Sequence, residues 1–233
     1  MQMMMERKHR EDIVRLGRCL YERGFVAAMD GNLSVRLGED RLLITPTCMC
    51  KGMMEPEDLV IVDLDGRKIE GRRNVSSEFE MHLLIYRMRP DVEGIVHAHP
   101  PTATGFAAAG VSLEEPLISE VVLTLGAVPL AKYACPGTRE LSDSLRPLVP
   151  GHQAILMANH GVVTYGDDLE QAFMHMETVE HFAKIALVTR TLGHPQTIAP
   201  EEVRKLEAIR HQLEAARRAE RGNLRTMEVK STA

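Results

Sequence analysis

The chain has no tryptophan, and its aromatic residues amount to only 4% of the 233 positions. That scarcity excludes a sugar-stacking platform or a base-stacking sheet, each of which needs several aromatic faces. No apolar run approaches the ~20 residues of a membrane-spanning helix. The first dozen residues, MQMMMERKHRED, carry charge where a secretory signal needs an apolar stretch. An excess of positive charge is also missing. The formal net charge is −5, so the surface as a whole offers little to nucleic acid or anionic lipid. The four cysteines, Cys19, Cys48, Cys50 and Cys135, follow no disulfide-framework spacing, which fits a reducing compartment. Together these absences predict a cytoplasmic protein with no membrane and no nucleic-acid partner.

A linker rich in Gly, Ser or Pro is absent too, as is any internal repeat. What is present is a succession of short amphipathic elements. Apolar positions at helical spacing predict a helix over 9–24, with Gly24 as its stop. Alternating residues 33–37 and 41–44 predict a hairpin about Gly38-Glu39-Asp40, and residues 60–63 and 68–70 a second about Asp65-Gly66. Ser77 with Glu80 fits a capping box opening a helix that ends before Pro90. Residues 94–99 read as a short buried strand closed by Pro100-Pro101, followed by an alanine-rich helix and another strand ending near Pro129. A strand over 154–158 ends at Asn159-His160-Gly161, and Asp167 with Glu170 caps a long helix to Leu192. The expectation is one α/β domain over 1–199, with a charged C-terminal helix and tail over 200–233.

Histidines carry the first chemical signal. His97 and His99 stand at i and i+2 on the expected strand, so both imidazoles leave one face while Ala98 points into the core. His160, at the end of another strand, is placed to reach the same point. Three imidazoles with an open position suit zinc or another divalent metal, although two histidines on a strand also serve as a structural pair. Glu78, at a helix start, is favoured as the ionised carboxylate. Helix-end electrostatics alone accounts for it, unless the fold brings it to the histidines as base or ligand. Ser76 and Ser77 at the same helix start, Asn32 in a turn, and Thr47 in Thr45-Pro46-Thr47 offer donors for a phosphate cradle made without a P-loop. Each of these alone is also ordinary turn chemistry.

Six motifs in order, Gly31-Asn32-Leu33-Ser34, Thr45-Pro46-Thr47, Ser76-Ser77-Glu78, His97-Ala98-His99, Tyr133 to Thr138, and Asn159-His160-Gly161, resemble the class II aldolase/adducin family. The likeness covers about residues 9–195. It implies a three-layer αβα fold around a central, mainly antiparallel sheet, assembled as a homotetramer with sites at subunit interfaces. It further implies His97, His99 and His160 as ligands of Zn2+, or alternatively Mn2+ or Fe2+, and Glu78 as the acid/base. Asn32, Thr47, Ser76 and Ser77 would hold a sugar phosphate. The implied reaction is reversible aldol cleavage of a ketose 1-phosphate, of the L-fuculose 1-phosphate type, to dihydroxyacetone phosphate and a short aldehyde. Two positions depart from the pattern. Cys48 stands where the family's fuculose-phosphate aldolases have a glycine, and Glu120 falls where they place a proton-donating tyrosine. A glutamate there fits dehydration, decarboxylation or epimerisation as alternatives, and a metal-free, adducin-like assembly module is the reading from a different class.

Overall fold

The structure, a computed structural model, describes residues 2–230 and the side chains of residues 3–217, 219 and 220. The strands are β1 (Asn32–Leu37), β2 (Arg41–Ile44), β3 (Val60–Asp63), β4 (Lys68–Glu70), β5 (Gly94–Ala98), β6 (Leu130–Ala131), β7 (Ala154–Met157) and β8 (Gly161–Gly166). The helices are α1 (Gln2–Glu22), α2 (Phe79–Met88), α3 (Pro101–Ala108), α4 (Ser119–Thr124), α5 (Arg139–Leu145), α6 (Leu169–Leu192) and α7 (Pro200–Lys230). The strands form one sheet in the order β4-β3-β2-β1-β5-β8-β7-β6. Every pairing is antiparallel except β6 with β7.

The period-two alternation of the strands builds two apolar layers. Leu33, Val35, Leu43, Ile61, Val96 and Ala98 join residues of α1, α3, α4 and α6 on one face. Leu42, Ile44, Val60, Val62, Ile95 and Val163 join α2 and α5 on the other. Helices on both faces of a mainly antiparallel sheet are the three-layer αβα arrangement expected.

Local details differ from the sequence reading where tertiary packing decides. Helix α1 begins at Gln2 rather than near residue 9. The α2 N-cap is Glu78, with no side-chain cap hydrogen bond, so Ser77 and Glu80 form no capping box. The Glu78 carboxylate is turned elsewhere, as shown below. Ahead of Pro129, near which a strand was expected to end, residues 119–124 form α4, because Val121 and Leu125 meet the core one helical turn apart. The strand comes after Pro129 instead. The α6 cap is Asp168, accepting from the Gln171 N–H at 2.7 Å, one residue past the expected Asp167. Helix α7 lies against α4, with Arg210 Nη1 donating to the Val122 carbonyl at 3.5 Å. Residues 231–233 of the expected tail lie outside the described residues.

Candidate active site

Three neighbouring strands set the site. In the sheet β5 lies between β1 and β8, so Asn32 faces His97 on one side and Val163 faces it on the other. Alternation sends Val96 and Ala98 into the first layer and leaves His97 on the face of Ile95. His99 follows the strand end, where Pro100 caps α3 and Pro101 opens it. His160 arrives from the β7–β8 turn, in which Asn159 takes a left-handed φ of 55°. Gly161 must be a glycine there: a Cβ would strike the His99 ring and lie 2.7 Å from the Ala98 carbonyl oxygen. Gly31 likewise has no room, since a Cβ would lie 2.7 Å from the His97 carbonyl oxygen.

The three rings stand edge to face, with centroids 4.9, 4.8 and 5.1 Å apart. One ring nitrogen of each lies within 4.8 Å of the others. His97 Nδ1 is 2.9 Å from the Val162 carbonyl, which can only accept, so Nδ1 carries the proton and Nε2 faces the cluster. There it lies 3.1 Å from His99 Nε2. Two imidazole nitrogens on one tetrahedral zinc would be about 3.3 Å apart, so the spacing fits a shared divalent ion. Glu78 completes the group: Oε2 is 3.2 Å from His97 Nε2, and Oε1 is 3.1 Å from His160 Nε2. Glu78 Oε1 and His160 Nδ1 are nonetheless buried with no properly directed hydrogen bond among the described residues. The carboxylate oxygen, buried beside the three rings, is the orphaned atom that a cation held there would satisfy.

Electrostatics follows from burial. His97 is fully buried and Glu78 is 11% exposed, whereas His99 is 24% exposed and forms the open side. Burial opposes ionisation of Glu78, but the charge of His97 and the approach of His160 outweigh it and hold the carboxyl far below its usual range. His97 shifts the other way: burial lowers its pKa, and the Glu78 carboxylate more than reverses this. Burial, with the like charges of His97 and His160, pushes His99 down to about 4. Asp30 Oδ2, 3.4 Å from His99 Nδ1, opposes that shift.

Beside this group runs the candidate phosphate edge. Pro46 pairs with Val75, and the Thr47 N–H donates to the Asn74 carbonyl at 3.1 Å, so the Thr45–Cys50 loop lies along the segment leading to Glu78. Ser76 is buried and its Oγ accepts from the Glu78 N–H at 3.3 Å, while Ser77 is exposed. A Cβ on Gly137 would come 3.2 Å from the Ser77 carbonyl oxygen, so the Tyr133–Thr138 motif also passes this edge. Asn32 is placed differently from the sequence expectation. It is 2% exposed, with its amide directed to Glu78 and His82. Glu120 is exposed in the first turn of α4, in a depression of about 640 Å³ shared with Phe25, Glu177 and Lys184. None of the three histidines lines that depression. A larger concavity, about 950 Å³, sits by Arg36, Glu93 and Asp168 and also excludes them.

Four supporting residues escaped the sequence reading. Glu180, 2% exposed on α6, accepts from the Thr102 and Ala103 N–H groups at 3.1 and 2.9 Å and so caps α3 immediately after the histidine strand. Lys51, 1% exposed, donates to the carbonyls of Met29 and Met49 and ties together the loops on either side of β1 and β2. Burial pulls its pKa down to about 8. His82 and Ser34 lie behind Asn32. Ser34 stood in the Gly31-Asn32-Leu33-Ser34 motif without a role of its own, and His82 left a trace four residues after Glu78 and so over the same helix face.

Comparison with known proteins agrees with this geometry. Residues 11–187 match the family model described as Class II Aldolase and Adducin N-terminal domain. A 5-deoxy-D-ribulose 1-phosphate aldolase of Bacillus thuringiensis serovar kurstaki is 35% identical over 205 residues, covering 87% of this chain and 95% of that protein. A 3-oxo-tetronate 4-phosphate decarboxylase of Escherichia coli K12 is 34% identical over 188 residues, 79% of this chain and 88% of that one. Among solved structures, an L-fuculose 1-phosphate aldolase superimposes with a TM-score of 0.81 at 31% identity, covering 86% of this chain and 95% of the other. With the family model spanning most of its length, the chain belongs to the class II aldolase and adducin family and is an aldolase-type lyase.

Proposed function

We propose that the protein cleaves a ketose 1-phosphate reversibly to dihydroxyacetone phosphate and a short aldehyde. The observation that carries this reading is Glu78 set between His97 and His160, beside Thr47 and Ser76. His97, His99 and His160 would hold the divalent cation, zinc by the all-imidazole donor set, with manganese or iron as alternatives. When bound, that ion supplies the Lewis acidity that offsets negative charge developing on the substrate's carbonyl oxygen.

Thr47, Ser76 and Ser77 bind the phosphate, which fixes the register of the sugar chain, with Asn32 at the inner edge. In condensation Glu78 takes the proton from the carbon next to the carbonyl of dihydroxyacetone phosphate. The electron pair released there forms the bond to the aldehyde carbon. In cleavage the carbon–carbon bond breaks, and Glu78 returns its proton to the same carbon. Glu120 protonates the aldehyde oxygen when a neighbouring copy presents it, a role tied to the homotetramer we propose. Exposed Met174, Leu187, Val188 and Leu192 on α6, with Ile209 and Leu213 on α7, are the apolar surface such an assembly would cover. A cytoplasmic location is part of the proposal, and no helix of the described residues is long and apolar enough to cross a membrane.

L-Fuculose 1-phosphate and a deoxypentulose 1-phosphate are the first substrates to try, the latter supported by the similarity to the Bacillus enzyme. The similarity to the tetronate-phosphate decarboxylase, together with Glu120, favours decarboxylation as the second reading. The test is elemental mass spectrometry on protein purified without chelator, beside His97→Ala, followed by a screen of ketose 1-phosphates for release of dihydroxyacetone phosphate. About one divalent ion per chain, lost in the variant with at least a 10³-fold fall in cleavage, is the expected result. Carbon dioxide released from a 3-oxo acid phosphate without aldol cleavage would select the second reading. No ion even after reconstitution would point to a non-catalytic assembly module.

A further inference from the structure

Behind Glu78 runs a line of buried polar side chains, of which the reaction above uses only Asn32. Asn32 is 2% exposed, Ser34 and His82 are fully buried, and Tyr86 is 1% exposed. Asn32 Nδ2 donates to Glu78 Oε2 at 2.9 Å. His82 Nε2 is 2.5 Å from Asn32 Oδ1, and His82 Nδ1 is 2.6 Å from Ser34 Oγ. Ser34 Oγ is 3.0 Å from the Tyr86 hydroxyl. The line therefore crosses from α2 to β1 and back, and it ends on the carboxylate at the histidine cluster.

The chemistry of the groups gives every bond a direction. An ionised carboxylate only accepts, so the N–H end of the Asn32 amide faces Glu78 and its oxygen faces His82. That oxygen also only accepts, which makes His82 Nε2 a donor. Burial, reinforced by the charge of His97, pushes His82 down to about 3, so the ring is neutral and carries one proton. With that proton on Nε2, Nδ1 must accept, from the Ser34 hydroxyl. The single Ser34 proton is then spent, and its oxygen accepts from Tyr86. Burial raises the Tyr86 pKa, so the phenol keeps the proton it donates. All the donors point one way, from Tyr86 through Ser34, His82 and Asn32 to Glu78, the arrangement in which successive bonds polarise one another.

We propose that His82 is a positioning residue: as the neutral Nε2–H tautomer it locks the Asn32 amide so that Asn32 holds Oε2 of Glu78 and leaves Oε1 to exchange the substrate proton. This deepens the reading of Glu78 as the acid/base and rests on it. The geometry supplies the asymmetry that the proposal needs. Oε2 accepts the Asn32 hydrogen bond, whereas Oε1 is buried with no properly directed partner among the described residues. Without His82 the Asn32 amide could rotate and set its oxygen against the carboxylate, which would repel Glu78 from its place. It also accounts for the position of Asn32, whose amide is engaged at both ends before any phosphate arrives.

The experiment has a spectroscopic arm and a kinetic arm. Nitrogen-15 NMR of the histidine rings, on protein with and without added zinc, should show His82 neutral from pH 5 to 9 with the proton on Nε2. A proton on Nδ1, or a titration near the ordinary histidine value, overturns the proposal whatever the reaction proves to be. Kinetically, His82→Phe should lower kcat for the cleaved ketose phosphate about tenfold or more, at unchanged metal content and little changed KM. His82→Gln, which can still donate to Asn32, should recover most of that loss. Ser34→Ala, a small change that leaves the ring in place, should give a partial fall and decides the matter if the Phe variant does not fold. Because His82 acts through Asn32, the Asn32→Ala, His82→Phe double variant should be no slower than Asn32→Ala alone. Additive losses, or a Gln variant as slow as the Phe variant, would make His82 merely structural. If the wild type cleaves no ketose phosphate, the aldolase reading fails and the tautomer alone decides the inference.

Discussion

Cys48 stands in the loop beside the candidate phosphate edge with a left-handed φ of 54°. A non-glycine residue there costs about 1–2 kcal/mol, and about 0.5–1 kcal/mol of any gain from glycine is returned through the freer unfolded chain. Cys48→Gly is therefore expected to stabilise the protein by about 0.5–1 kcal/mol, raising the melting temperature by roughly 2 °C for a chain of this size. Scanning calorimetry checks it; an unchanged or lower melting point would mean that the Cys48 Sγ contact with Thr47, at 3.6 Å, offsets the strain. His175 offers a test of a different kind. It is 5% exposed, and burial pushes it down to about 4, against the hydrogen bond to the Tyr165 carbonyl. Between pH 6.5 and 4 the unfolded chain takes up a proton at this residue and the folded chain does not. Stability must then fall as pH drops through that window, by on the order of 3 kcal/mol for His175. Urea midpoints at pH 7 and 4.5 should show a shallower loss for His175→Gln than for the wild type, and parallel losses would refute the assignment.

At the scale of elements, the link between β5 and α3 matters most. His99 occupies the short passage between them, and Glu180 on α6 holds the first N–H groups of α3. Glu180→Gln removes the charge and an acceptor from a buried helix start, which is expected to cost about 2–3 kcal/mol. It should also weaken metal binding several-fold, because the turn carrying His99 would loosen. Urea denaturation and a metal titration measure the two effects separately. A stability loss with unaltered metal affinity would show that the α3 cap does not position His99. The same elements show how much of the site was legible. Strand periodicity alone placed His97 and His99 on one face and Ala98 in the core, as found. The start of α2 was less legible, because the Ser77–Glu80 spacing satisfies a local capping rule. Tertiary attraction of Glu78 to His97 and His160 overrides that rule.

At the scale of the molecule, neither apolar layer draws a residue from beyond Ala186 among the described residues. Helix α7 attaches to α4 and, through Glu214, to Gln153 at 3.4 Å. We therefore propose residues 1–199 as the folding unit and 200–233 as an appendage. A chain ending at Ala199 should unfold in one cooperative transition and keep the metal stoichiometry of the full protein, losing no more than about 2 kcal/mol. Circular dichroism melts and elemental analysis test this; loss of the cooperative transition would place α7 within the core unit.

The sequence by itself determined the features that depend on near neighbours. Strand alternation, turn residues and charged helix ends are local, and so the hairpins, the one-faced histidine pair and the α/β class were all readable from spacing. The resemblance carried by six short motifs added the family. Only the tertiary structure decided what depends on strand order. Placing β5 between β1 and β8 brings His160 and Glu78 to His97 and sets Asn32 where it meets Glu78 and His82, while packing of Val121 and Leu125 on the core makes residues 119–124 a helix. Those contacts join residues far apart in the chain. Their free energy comes from burial and charge pairing that exist only once the layers have closed.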